Sequence, residues 1–251
     1  MPKTILMTHI IAGYPNIEES RKIALAMAAS GASYIEIQIP FSDPIADGKT
    51  ILEANVKALQ NNITPDDCFN LMRNLKKQIK IPLLFMTYFN IPFNYGLEKF
   101  CEKAYKAGCY GLIIPDMPID EENNEHYLEL CKKYDLKAIQ VISSITPVRR
   151  LKKLAKVAEG FVYCVSRFGT TGEAARFNKN PAAYLNKVRK YIKIPIALGF
   201  GISDKRQVEA AKKSADIIVI GSKILNIHNR FKNRESIPKI KKFLRGIIRK
   251  A

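Results

Sequence analysis

The fold is decided by the opening stretch of the chain. It runs Ile5-Leu6-Met7-Thr8-His9-Ile10-Ile11, then a turn at Gly13-Tyr14-Pro15, then Ile17 to Ser30, Gly31, and Tyr34-Ile35-Glu36-Ile37-Gln38-Ile39. The first and last of these runs are short, apolar and rich in β-branched residues, the pattern of a strand. Between them Ile23, Ala24, Met27 and Ala28 recur at helical spacing, and Gly31 supplies the stop. The unit is therefore strand, helix, strand. Taken along the chain, the strand-like runs are mostly near-continuous apolar stretches rather than strict alternations, which predicts parallel strands covered on their outer face by helices.

The same unit repeats along the rest of the chain. Pro82 to Tyr88, Tyr110 to Ile114, Ala138 to Ile142, Phe161 to Val165, Ile194 to Leu198 and Ile217 to Ile220 read as further strands, bringing the count to eight. Helical patterns separate them. One carries Ile51, Ala54 and Leu59. The next is opened by Thr64-Pro65-Asp66-Asp67, a capping Thr with Pro in the first turn, and carries Phe69, Leu71, Met72 and Leu75. The others span Leu97 to Ala107, Glu121 to Tyr134, Val148 to Ala158, Pro181 to Tyr191 and Asp204 to Lys213, with an amphipathic tail from Lys239 to Lys250. An open doubly wound sheet is the rival arrangement, but its Gly-rich turn after the first strand is missing, since Gly13-Tyr14-Pro15 is no G-x-G-x-x-G. No linker or composition break divides the chain. Residues 1–251 are read as one (β/α)8 (TIM) barrel, a single domain with a parallel eight-stranded barrel.

Composition narrows the function classes. Hydrophobic residues make up 47% and charged residues 25%, an ordinary globular balance. No apolar stretch is long enough for a membrane span, and the first apolar run leads straight into a turn rather than a signal-peptide cleavage site. Cys68, Cys101, Cys109, Cys131 and Cys164 are odd in number and lack paired spacing, so neither a disulfide framework nor a zinc site is expected; a reducing, cytoplasmic compartment fits. His9, His126 and His228 show no ligand spacing, and no metal is expected. His9, in the first strand, could face the pocket, although a satisfied core histidine is the favoured reading, and His126 is read as solvated in a polar helix. The net charge of +18 comes from lysines spread over helix faces, such as Lys76 and Lys77 or Lys152 and Lys153. A nucleic-acid binder would gather them into one patch interleaved with aromatics, so nucleic acid is not the expected partner. The positive field would help draw in an anionic substrate.

In a barrel of this kind the active site lies at the C-terminal ends of the strands. Glu36 stands inside the second strand between Ile35 and Ile37, and shares a face with Gln38 because side chains alternate. If the isoleucines pack under the helices, that face is the barrel interior. A carboxylate there is costly unless paired or protonated, which suits a proton-shuttling group, although a structural Glu paired with a buried base is the other reading. Asp43 precedes Pro44 and braces the turn; Asp47-Gly48 could equally be plain turn chemistry. Glycine-bearing turns follow the late strands: Ser166 to Gly172, Gly199-Phe200-Gly201-Ile202-Ser203 and Gly221-Ser222. Backbone amides at such turns and helix N-termini hold anions, so a small phosphorylated ligand is expected.

The run from Glu36 to Gly48, E-x-x-I-P-F-S-D-P-x-A-D-G, resembles the signature of the tryptophan synthase α subunit family. The likeness extends to Gly13-Tyr14-Pro15, to Tyr88-Phe89-Asn90 with Phe93-Asn94-Tyr95-Gly96, to Pro115-Asp116-Met117-Pro118, and to the late glycine turns. It implies a lyase that cleaves indole-3-glycerol phosphate to indole and glyceraldehyde 3-phosphate, a step of tryptophan biosynthesis. By this resemblance Asp47 holds the indole N–H, and Glu36 protonates the ring at C3 and takes a proton from the glycerol hydroxyl. Thr171 would brace Asp47, while Tyr88, Tyr163 and Phe200 would line the site. Amides around Gly172, Gly201, Gly221 and Ser222 would hold the phosphate. The resemblance implies no cofactor in this chain, pyridoxal phosphate belonging to a β-subunit partner in an α2β2 heterotetramer. Gln38 stands where that family usually has Gly, and Lys49 where it usually has Pro, so a narrower pocket is expected. Two other readings stand beside the lyase. One is a catalytically weak α-like chain that mainly activates a β subunit. The other is a stand-alone indole-3-glycerol-phosphate lyase.

Overall fold

The computed structural model describes residues 5–165, 181–199, 201–231 and 233–248. Eight strands form: β1 (Ile5–Ile11), β2 (Tyr34–Gln38), β3 (Leu83–Met86), β4 (Gly111–Ile113), β5 (Lys137–Ser143), β6 (Val162–Val165), β7 (Ile196–Gly199) and β8 (Ile217–Ile220). They close in chain order into a barrel, with β1 hydrogen-bonded to both β2 and β8 and every adjacent pair parallel. The (β/α)8 reading is borne out.

Alternation along each strand divides the apolar residues between two cores. Ile35, Ile37, Leu83, Phe85, Ile218 and Ile220 face outward into a layer shared with helix residues such as Ile23, Met27 and Phe69. Met7, Leu84, Met86, Ile113, Ile139, Ala197, Ile217 and Val219 face inward and fill the barrel, joined by Phe161. Burying one such side chain removes it from water at a gain of about 1.5–3 kcal/mol, which is why the strands carry apolar residues on both faces. Tyr34 meets Phe161 edge-on at 5.5 Å and Tyr110 at 6.2 Å, an aromatic cluster at the strand-start end of the interior. The cavity lined by His9, Glu36 and Gly221 lies toward the opposite end. The barrel also needs a glycine in β4, because a Cβ at Gly111 would lie 2.4 Å from the Lys137 carbonyl oxygen of β5.

The helices start where local chemistry supplies a cap. Asn16 accepts from the Glu19 amide at 2.9 Å and opens helix Ile17–Ala29. Thr64 and Asp67 form a reciprocal capping box before helix Pro65–Lys76. Three elements differ from the sequence reading. Asn90–Tyr95 forms a short helix after β3, too brief for its apolar residues to show a period. Glu121 to Tyr134 is not one helix: Ile119–Glu121, Glu122–Glu125 and Tyr127–Lys133 follow each other, broken at His126, which has φ 54°. The break has a local cause, since the Glu122 carboxylate turns back to accept from the amides of Leu128 (2.7 Å) and Glu129 (3.0 Å). Finally, the tail helix begins at Asn233 and runs to Ile248, burying Ile240, Leu244 and Ile247. All five cysteines are buried and free. No helix among the described residues is long and apolar enough to cross a membrane.

Candidate active site

Parallel register brings the polar residues of β1 and β2 to one level. His9 pairs with Glu36 and Ile11 with Gln38, so the inward-facing polar side chains of the two strands stand next to each other above the apolar filling. All three are almost fully buried, Glu36 at 3% exposure, His9 at 4% and Gln38 at 0%. His9 Nδ1 lies 3.3 Å from Glu36 Oε1. The other carboxylate oxygen, Oε2, has no partner among the described residues, and neither has His9 Nε2 or Gln38 Oε1. Burial alone would depress the His9 pKa; the adjacent Glu36 carboxylate, with smaller help from Asp47, outweighs it and raises the value above the usual imidazole range.

Asp47 reaches the same cavity from the loop after β2. The loop is held by Asn55 of helix Lys49–Gln60, whose Oδ1 accepts from the Phe41 amide at 3.0 Å and whose Nδ2 donates to the Ile51 carbonyl at 2.9 Å. Within the loop the Asp47 amide donates to the Pro44 carbonyl at 2.9 Å. The Asp47 side chain then receives two donors on Oδ2, the Gln38 amide at 2.7 Å and the Tyr88 hydroxyl at 3.1 Å. Tyr88 also accepts from the Ala46 amide at 3.0 Å and stacks on Phe41 at 5.1 Å, so its ring clamps the loop from the β3 side. Burial raises the Asp47 pKa above the usual carboxylate range, opposed by His9 and by these two hydrogen bonds. Asp43 is exposed and accepts from the Ser42 hydroxyl at 2.5 Å, the turn-bracing role expected of it.

The cavity these groups share has a volume of about 360 Å³ and opens at the C-terminal ends of the strands. His9, Glu36, Asp47 and Tyr163 form part of its wall, and Gly201, Gly221 and Ser222 another part. Tyr163 is half-buried, with burial pushing its hydroxyl pKa well above the usual phenol range. Its ring sits where only glycine can stand behind it, since a Cβ at Gly199 would come within 2.8 Å of Tyr163 Cε1. Ser222 begins helix Ser222–Phe231, whose first amides are free of helical partners, a ready anion site at the cavity edge. Lys49 stands on the rim, largely exposed and 3.9 Å from Glu53. Asp116, in the loop after β4, accepts from the Phe89 amide at 2.9 Å and ties that loop to the one after β3.

The structure thus brings Glu36, Asp47, Tyr163, Gly201, Gly221 and Ser222 together around one cavity. Tyr88 contacts Asp47 from behind. Thr171, Gly172 and Phe200 lie outside the described residues. The bracing side of Gln38 and the role of Asn55 were not read from the sequence, and His9, for which a core position was favoured over a pocket-facing one, lies on the cavity wall. A lone His in an apolar strand carries no periodicity signal, but its register opposite Glu36 follows once β1 and β2 are aligned. Asn55 sits among Ala54 and Ala58 on a helix face and gives no sequence sign of its role.

Comparison with known proteins supplies the family context. Residues 2–247 match the family model described as tryptophan synthase alpha chain. A tryptophan synthase alpha chain from Syntrophotalea carbinolica is 38% identical over 243 residues, covering 97% of this chain and 94% of its own. One from Helicobacter hepaticus is 44% identical over 227 residues, covering 88% and 84%. A crystal structure of the tryptophan synthase complex from Pyrococcus furiosus superposes with a TM-score of 0.87 at 29% identity, covering 98% of each chain.

Proposed function

The chain belongs to the tryptophan synthase alpha chain family, lyases that cleave indole-3-glycerol phosphate in tryptophan biosynthesis, and from that premise we propose that Glu36 and Asp47 carry the cleavage here. The observation that carries this reading is the unpartnered Glu36 Oε2, a buried oxygen on the wall of a cavity that also contains a braced Asp47. A buried polar atom without a partner costs on the order of 1–3 kcal/mol, a cost understandable where a substrate group completes the bond.

In this reading the indole N–H donates to Asp47, whose negative charge stabilises the ring as it becomes cationic. Glu36 takes the proton of the hydroxyl on the adjacent glycerol carbon and gives a proton to indole C3. The bond between that carbon and C3 then breaks, its electron pair returning to the indole ring as the aldehyde forms. One proton is given and one is taken, so the carboxyl returns to its starting state. The amides at Gly201, Gly221 and Ser222 take the phosphate, and Tyr163 packs against the ring beside Glu36. Thr171, Gly172 and Phe200 are assigned to the same site by family resemblance alone. The chemistry uses side chains only, and any pyridoxal phosphate belongs to a partner.

The partner in this reading is a tryptophan synthase β subunit, in an α2β2 assembly. Support comes from the cavity end of the barrel, where loops and helices after β2, β3 and β5 expose Ile45 (65%), Phe93 (56%) and Ile145 (69%). The decisive test is Glu36→Gln assayed for indole release with and without a β subunit. The expected loss is about 10²–10⁴-fold, the usual worth of a positioned acid–base group. A near wild-type rate would refute the mechanism, and absence of release from the wild type in both conditions would favour the purely activating role.

A further inference from the structure

We propose that His9 is the positioning residue of Glu36: it holds Oε1 from the neighbouring strand and so presents Oε2 to the cavity. This rests on the reading of Glu36 as the proton-transferring group. The geometry is specific. His9 and Glu36 are register partners on β1 and β2, both almost fully buried, with Nδ1 3.3 Å from Oε1. No other hydrogen bond or ion pair to the Glu36 carboxylate occurs among the described residues, and Oε2 is left open. A carboxylate held at neither oxygen would turn about its last bond; held at one, it offers the other at a fixed position.

The imidazole also balances charge. Glu36 and Gln38 face it from β2, Asp47 from the following loop, and Tyr163 of β6 lines the same cavity. Behind it stands Gly221, where a Cβ would come within 3.3 Å of His9 Cβ, so the ring is backed by backbone and not by another charge. Two buried carboxylates in one small cavity repel each other, and a protonated His9 is attracted to both. The arrangement therefore keeps Glu36 anchored while His9 is protonated and loosens it when His9 becomes neutral.

Two measurements test this. Ring-proton NMR of His9, assigned by its disappearance in His9→Gln, is followed against pH in the wild type and in Glu36→Gln. The wild-type midpoint is expected above 6.5. It should fall by about one unit or more in Glu36→Gln, the usual effect of removing an opposite charge at contact. An unmoved midpoint overturns the pairing whatever the activity proves to be. Indole release against pH, with a β subunit present, is then compared in the wild type and His9→Gln. The wild-type kcat/KM should decline as pH rises through the His9 midpoint. His9→Gln should lose that decline and run about 10-fold lower at its plateau, chiefly in kcat, because Gln can still donate a bond to Oε1 but does not titrate. An unchanged profile in His9→Gln, with an active wild type, overturns the positioning role while leaving the lyase reading intact. A wild type that releases no indole overturns the lyase reading, and the NMR result alone then decides whether His9 and Glu36 are paired.

Discussion

Replacing Gln38 by Met should separate activity from stability in this site. The Gln38 amide is the shorter of the two bonds to Asp47, at 2.7 Å against 3.1 Å for Tyr88, and both end on the same oxygen. A hydrogen bond to a charged group is worth about 1.5–3 kcal/mol, and one pKa unit corresponds to about 1.4 kcal/mol. Losing it should raise the pKa of Asp47, already elevated by burial, still further. The sign follows from linkage. A carboxyl whose folded pKa is raised favours the folded state below its ordinary value of 3.8, and that advantage is lost as pH rises through the folded pKa. The ionised Asp47 is therefore held at a cost to stability that Gln38 reduces. Met would also remove Gln38 Oε1, a buried acceptor with no partner among the described residues, whose own cost is about 1–3 kcal/mol. The two changes oppose each other, so urea unfolding at neutral pH should give a stability within about 1 kcal/mol of wild type. Indole release should behave differently. With one anchor gone, Asp47 is misplaced relative to the indole N–H, and kcat/KM should fall about 10–100-fold, its acid limb moving to higher pH. A Gln38→Met enzyme within twofold of wild type, with an unmoved acid limb, would refute the bracing argument.

Two further substitutions probe the same framework. Tyr88→Phe removes the second donor to Asp47 and the acceptor of the Ala46 amide while keeping the stack on Phe41; indole release should fall about 10-fold, and chemical denaturation should show a loss of about 1–2 kcal/mol. Gly111→Ala forces a Cβ to within 2.4 Å of the Lys137 carbonyl oxygen, a backbone atom that cannot move aside, so β4 and β5 must separate. Thermal unfolding should then report a loss of at least about 2 kcal/mol, and an unchanged midpoint would contradict the pairing of Gly111 with Lys137 across these strands.

The barrel was legible because its strands had to be apolar on both faces. Ile35 and Ile37 point to the helices while Glu36 and Gln38 point inward, and that parity was readable from alternation alone. What alternation could not show is which residues end up beside one another on different strands. That depends on register, a tertiary quantity. The early end of helix Glu122–Glu125 escaped for a related reason: the Glu122 carboxylate competes for amides six and seven residues on, a contact with no helical or strand period. The ends of regular elements were legible where a local cap existed, as at Thr64 and Asp67, and blurred where packing set the boundary, as in the helix ending at Ile248.

The site divides along the same line. Glu36 stood out because a carboxylate between isoleucines breaks an apolar pattern. Asp47 did not, because Asp-Gly after a strand is ordinary turn chemistry; its significance is that Gln38 and Tyr88, nine and forty-one residues away, converge on one of its oxygens. The same dependence on convergence explains His9. In sequence it is one polar residue in a strand, and a buried strand histidine most often satisfies itself in the core. Its meaning comes from standing at the level of Glu36 across the β1–β2 ladder, with Gly221 behind it and the cavity in front. A substitution at position 9 would leave the apolar pattern of β1 intact and would look conservative in sequence, yet it would remove the only partner that Glu36 has among the described residues. The residues that hold a buried carboxylate in place are thus as much a part of the chemistry as the carboxylate itself, and are found by following its hydrogen bonds across strands.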